Sequence, residues 1–290
     1  MPALPLYLIA NLLFGLNGII AASIPFESSV IVLSRLILGG GFLGILLLTL
    51  RRAAARRGTP FTTLTRRQLV LLVLSGFAMG ASWLCLYAGF QTIGVGMTTL
   101  LYYTGPVMLM AFLAVTGEDR FAGSQWLGLA AAAAGAALAI GGGDFTLSGG
   151  VLIGLLSAVC YAAMVWTARR AGHVDGLTAA SLEMAAAFPL VLIYAWSTVD
   201  AFPTAADVAA VWLPLAVLGL LNTGVGCAFY FYAVSRLNAS IVSAGGYLEP
   251  IGALVFSAIF LGESLGVTGW TGAALVLAGT VIAGRSSGKE

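Results

Sequence analysis

The chain has 290 residues, of which 60% are hydrophobic and only 8% charged, with a formal net charge of +2 and a mean hydropathy of +1.02. Soluble domains carry about 25% charged residues, so this supply cannot clothe a water-facing surface. A polytopic membrane protein is implied, with the lipid bilayer as its main surroundings and no nucleic acid among its expected partners.

A crossing helix needs about 20 mainly apolar residues. Ten stretches meet that length: 5–23, 29–50, 68–91, 95–116, 123–141, 148–168, 177–197, 208–234, 238–261 and 267–284. The first opens MPALPLYLIANLLFGLNG and lacks the basic start of a cleaved signal, so it is kept as a span. The connections are short except for residues 51–67. All-α spans are expected because every backbone group in lipid must be bonded within its own segment, and because barrel strands would be about 10 residues long and alternating.

The basic residues predict the orientation. With the amino terminus in the cytoplasm, Arg51, Arg52, Arg56, Arg57, Arg66, Arg67, Arg120, Arg169, Arg170, Arg236, Arg285 and Lys289 lie inside, twelve of the thirteen Lys and Arg, and only Arg35 lies toward the outside. Both termini are therefore expected to be cytoplasmic, in the inner (plasma) membrane.

One stretch occurs twice. Residues 102–143 slide onto 246–285 so that Pro106 meets Pro250; without a gap, Tyr103 then meets Tyr247, Asp119 meets Glu263, Trp126 meets Trp270, Gly128 meets Gly272 and Gly135 meets Gly279. Tyr87-Ala88 pairs with Tyr232-Ala233 after one gap. This points to an internal duplication, with residues 1–144 and 145–290 as the two units. Each unit holds five spans, an odd number, so the second is inverted relative to the first. Inverted repeats are the architecture of secondary transporters, with the site near the midplane between the halves.

Pro250, Leu261-Gly262-Glu263, Gly272 and Gly279 resemble the EamA repeat of the drug/metabolite transporter superfamily. Ten spans in two inverted halves around a central cavity fit that resemblance over nearly the whole chain. It implies export of amino acids or other small metabolites, or movement of sugars and nucleotide sugars. The first copy departs from the pattern, reading Gly117-Glu118-Asp119-Arg120, and the first span has Phe14-Gly15 where Trp-Gly is common. The aromatic interior is most similar to YddG-type exporters of aromatic amino acids. In the resembling family, spans 1, 3, 4, 6, 8 and 9 surround the cavity.

No Ser-His pair, HExxH or P-loop is present, so no enzyme, ATP-driven pump, catalytic residue, metal or cofactor is expected. The single His173 reads as a solvated loop residue, and Cys85, Cys160 and Cys227 as small buried hydrophobes. Charges at membrane depth cost about 2.5–3.5 kcal/mol each by insertion scales, which makes each a site hypothesis. Glu249 precedes Pro250 and has Gly105 as its repeat partner, so it breaks the internal symmetry. It reads as a contact for a substrate ammonium, a proton site, or a structural acid. Glu183 is expected to pack near the cytoplasmic interface, and Arg35 to snorkel outward, although it could hold a carboxylate.

The candidate substrate-binding residues fall on the spans named above: Asn11 and Asn17 in the first, Trp83 and Tyr87 in the third, Thr99, Tyr102 and Tyr103 in the fourth, Tyr161 and Trp166 in the sixth, Asn222 and Tyr230 in the eighth, and Ser243, Tyr247 and Glu249 in the ninth. A buried Tyr hydroxyl needs a partner, which favours a wet cavity; helix packing is the alternative for each aromatic, and interhelical hydrogen bonding for each Asn. Four GxxxG pairs, Gly40/Gly44, Gly76/Gly80, Gly150/Gly154 and Gly262/Gly266, are expected to be helix-packing seams. The reading is a secondary transporter exporting an amphipathic amino acid from a neutral, aromatic site with one acid available. A cationic or hydrophobic drug exporter is the alternative within the class, and a membrane enzyme or scaffold the alternative outside it. A monomer is the working expectation.

Overall fold

A computed structural model of the chain describes residues 2–58, 63–118, 123–141, 148–238, 241–242 and 245–285. No strand occurs among them. The helices are α1 (Ala3–Ala22), α2 (Ser28–Arg56), α3 (Arg66–Ile93), α4 (Val95–Val115), α5 (Gly123–Gly141), α6 (Gly149–Arg170), α7 (Gly176–Thr198), α8 (Trp212–Val234), α9 (Leu248–Phe260) and α10 (Gly266–Arg285). Among the described residues nine are long and apolar enough to cross a membrane; α9 has 13 residues and is the described core of the expected span 238–261.

Polarity is turned inside out. Ile45, Leu127, Ile193 and Trp196 face outward, whereas Asn11, Arg35, Ser75, Thr99 and Asn222 are buried. Lipid offers no hydrogen bonds, so polar side chains must find partners between helices. The ends are set locally. Thr65 and Gln68 form a capping box that starts α3, and Asp175 accepts from the Thr178 N–H at 2.9 Å to start α7. The α2 helix runs past its apolar part into Arg51, Arg52 and Arg56, where basic residues suit the C-terminal dipole. The eighth span does not begin at 208: a short helix, Ala205–Ala210, ends first, and α8 restarts at Trp212 with Pro214 in its opening turn, where the missing N–H is tolerated.

The two repeats clasp through α5 and α10. A Cβ on Gly128 would meet the Gly279 carbonyl at 2.6 Å, and one on Gly279 would meet the Gly128 carbonyl at 2.5 Å. Gly135 and Gly272 are opposed in the same reciprocal way, at 2.6 and 2.5 Å. These are the glycines that matched in the sequence alignment, so a pseudo-twofold axis passes between the helices.

Two of the expected glycine seams hold: Gly76 and Gly80 lie against α7, and Gly150 and Gly154 against Thr92, Ile93 and Leu101. The others are corrected. Gly40 touches Met184, but Gly44 has no neighbour within 4 Å. Gly262 and Gly266 have none either; with φ of 67° and 62° they form the turn between α9 and α10. The GxxxG spacing is there served by a loop.

Candidate functional site

Irregularities in α1, α4, α8 and α9 meet around one space. The α1 helix breaks at Leu16, α4 breaks at Tyr103-Thr104 ahead of Pro106, and α9 starts again after Gly246-Tyr247 ahead of Pro250. The α8 helix widens to π geometry over Val217–Gly226. The breaks in α4 and α9 fall within a residue of each other in the repeat alignment. Each proline removes a donor from the ladder, and both repeats loosen where they face the centre.

Asn222 fastens α8 to the break in α1. Its Nδ2 donates to the Leu13 carbonyl at 2.8 Å and to Asn17 Oδ1 at 3.2 Å. Gly15 brings the same break against the Glu249 carbonyl, 3.0 Å from where a Cβ would stand. A cavity of about 240 Å³ opens between these elements. Phe14 and Asn17 of α1, Trp83 and Phe90 of α3, Thr99, Tyr102 and Tyr103 of α4, Phe231 of α8 and Glu249 of α9 line it, with Met79, Met164 and Met184 filling between the rings. Glu249 and the Tyr103 hydroxyl face one another across the two breaks, near enough to interact.

Two further charges line the cavity, and the first corrects the sequence reading. Arg35 does not snorkel outward; it is 5% exposed and turned inward. Its Nε donates to Thr223 Oγ1 at 2.9 Å, its Nη1 donates to the Tyr87 hydroxyl, and its guanidinium lies 4.2 Å from the Trp83 ring centre. Thr223 spends its own proton on the Leu218 carbonyl five residues back, at 2.9 Å, so its oxygen is left to accept. That bond exists because the α8 turn is wide. Glu183 also lines the cavity, and its Oε1 accepts from the Ser75 hydroxyl at 2.6 Å. The site thus holds one cation and two carboxyl groups rather than a single acid. The lone apolar-span Arg was the available signal; what sequence could not supply was the pair of acceptors on α3 and α8 that hold it inside.

Of the candidates read from sequence, Asn17, Trp83, Thr99, Tyr102, Tyr103 and Glu249 line the cavity. The others do not. Tyr87 is fully buried behind Arg35, and Tyr161 backs Tyr102, with ring centres 5.0 Å apart. Tyr230 packs among Tyr7, Phe14 and Phe231. Asn222 braces α1, and Asn11 Nδ2 donates to the Tyr7 carbonyl of its own helix at 2.8 Å. Tyr247 marks the break before α9. Trp166 is remote, at the end of α6 beside the Arg170–Glu118 ion pair of 2.7 Å. Ser243 lies outside the described residues. Among the described residues no group of His, Cys, Asp or Glu could hold a metal ion.

The sequence profile of the EamA-like transporter family matches residues 1–141 and 148–285. A protein of Streptantibioticus cattleyicolor described as "Probable terminal-alkyne amino-acid exporter" is 30% identical over 225 residues, 76% of this chain and 74% of that one. The threonine/homoserine exporter RhtA of Salmonella typhimurium is 28% identical over 210 residues, 69% of this chain and 66% of its own. A solved crystal structure, 18% identical, superposes with a TM-score of 0.62 over 97% of this chain and 98% of that one, which establishes the shared fold. These relatives are transporters rather than enzymes, and with both halves matched the chain belongs to the EamA-like transporter family.

Proposed function

We propose that the protein exports amino acids with aromatic or apolar side chains by alternating access. The observation that carries this reading is the cavity at the paired helix breaks, walled by Phe14, Trp83, Phe90, Tyr102, Tyr103 and Phe231 with Glu249 at one break. Rings and methionines suit an apolar side chain, and a carboxylate suits an ammonium. The volume, about 240 Å³, is below the roughly 300–1,000 Å³ of pockets for drug-sized ligands. Arg35 also faces this space, so a purely cationic drug would meet a like charge. Relatives described as amino-acid exporters support the substrate class; the aromatic lining supports the choice within it.

Counterflow into liposomes holding the purified protein tests the proposal. Labelled phenylalanine and leucine should accumulate against an unlabelled internal pool, and a cationic dye should not. Dye counterflow without amino-acid counterflow would move the protein to the drug-exporting alternative.

A further inference from the structure

We propose that Arg35 is the receptor for the substrate's carboxylate, so that the exported solute must present a free carboxylate beside its ammonium. This rests on the amino-acid reading above and adds the recognition element that the aromatic walls and Glu249 do not supply.

The argument starts from an imbalance. Arg35 is nearly fully buried, yet among the described residues no carboxylate lies within ion-pair distance of it. Stripping a guanidinium of water without a counter-charge is costly. Neither carboxyl group that shares the cavity lies within ion-pair distance: Glu183 accepts from Ser75, and Glu249 stands beside the Tyr103 hydroxyl. The charge is therefore held inside without a contact ion pair, and the Glu249 carboxyl acts on it only from across the cavity.

It is also aimed. Thr223 takes Nε, Tyr87 takes one hydrogen of Nη1, and Trp83 lies under the plane at 4.2 Å. Three side chains from two helices fix a group whose flexibility would otherwise have to be frozen on binding. The remaining N–H groups of the fork have no protein acceptor among the described residues. A guanidinium with its plane fixed and a pair of donors open matches a carboxylate, which accepts two parallel N–H bonds. Arg35 on α2 and Glu249 on α9 both line the cavity without pairing. Their opposite charges can read the two ends of one zwitterion, the carboxylate on Arg35 and the ammonium on Glu249. The π turn Leu36–Gly40 that follows Arg35, packed on the π segment of α8 through Gly39 and Gly219, sets this register.

The test uses the full-length protein in liposomes and the labelled amino acid that gives counterflow. Its unlabelled parent, its carboxamide and its decarboxylated amine compete against it, first with the wild type and then with Arg35→Gln and Arg35→Lys. The wild type should bind the carboxamide and the amine at least about tenfold more weakly than the parent, the expectation for a lost charge-assisted hydrogen bond. Arg35→Gln should weaken the parent by a similar factor without weakening the amine, which is relieved of a like charge, and so remove the discrimination. Arg35→Lys should fall between, since it keeps the charge and loses the fork. A wild type that binds the amine as well as the parent overturns the proposal, as does an Arg35→Gln variant that binds the parent normally; in both cases the exporter reading stands. Absence of amino-acid counterflow in the wild type overturns the exporter reading itself. If Arg35→Gln fails to fold, the wild-type series still tests the carboxylate requirement, and Arg35→Lys, which keeps the charge, tests the residue.

Discussion

Glu249 has a neighbourhood that makes its role measurable. It lies in the first turn of α9, next to Pro250, lines the cavity and meets the Tyr103 hydroxyl. As an ammonium contact, Glu249→Gln should preserve folded yield and weaken binding of phenylalanine and leucine alike by about 1.5–3 kcal/mol, since they share the ammonium; competition counterflow reads this. Intact exchange with a lost response to a pH gradient would instead make the carboxyl a coupling-proton site, and wild-type behaviour in both assays would leave a structural acid. Trp83 does two things at once, stacking on Arg35 and walling the cavity. Trp83→Ala should therefore reduce transport far more than it reduces folded yield. Trp166→Ala should leave transport near the wild-type level, because Trp166 packs on Phe112 and Arg170 away from the cavity.

At the scale of elements, glycines separate into those that let backbones touch and those that do not. Gly128→Ala would drive a methyl group to 2.5 Å from the Ala283 nitrogen, and backbone on a packed helix cannot yield cheaply. A loss of about 1–3 kcal/mol is expected, as for other overpacked cores. Gly44 lies in α2 with nothing within 4 Å, and Gly44→Ala should raise stability by roughly 0.5–1 kcal/mol through helix entropy. Thermal unfolding in one detergent should order the proteins Gly44→Ala, wild type, Gly128→Ala. A single residue, Gly94 with φ 84°, connects α3 to α4, and Glu263 of the second repeat covers the start of α4 by accepting from the Val95 and Gly96 N–H groups, both at 2.7 Å. Glu263→Ala leaves those donors bare and should cost about 0.5–2 kcal/mol, the range for a lost helix cap. The acid of the repeat motif is thus a strap between repeats in this structure; its alignment partner Asp119 lies outside the described residues.

At the scale of the molecule, five helices per repeat and a shared axis between α5 and α10 give two halves that approach the membrane from opposite faces. Arg51, Arg52, Arg56, Arg57, Arg66, Arg67, Arg170 and Arg236 all fall at one end of the bundle, the end where α2, α6 and α8 finish and α3 begins. The excess of Lys and Arg on cytoplasmic loops makes this the expected cytoplasmic end. In a cysteine-free background, Ala55→Cys should resist an impermeant thiol reagent in intact cells, and Ala201→Cys, on the loop between α7 and the short helix before α8, should label. The reverse pattern would invert the protein in the membrane.

The sequence by itself determined the class, the expected spans and the duplication, because each is written in local quantities: apolar length, charge placement and residues repeating at a fixed offset; the family entered through the resemblance of Pro250, Leu261-Gly262-Glu263, Gly272 and Gly279 to a known repeat. It also pointed toward the region of the site, through the charge Glu249 beside Pro250 and the aligned Tyr103 and Tyr247 of the two halves. Which side chains face that space was decided by tertiary structure alone. Tyr87 and Tyr161 have the right depth and the right residue type, yet one turns to support Arg35 and the other to back Tyr102. Helical phase assigns a face, but only the neighbouring helices decide whether that face meets a cavity or a partner. Arg35 carries the same lesson in reverse: eight residues into α2 its side chain is long enough to reach the interface, and it turns inward because Thr223 and Tyr87, distant in sequence, accept two of its N–H groups there.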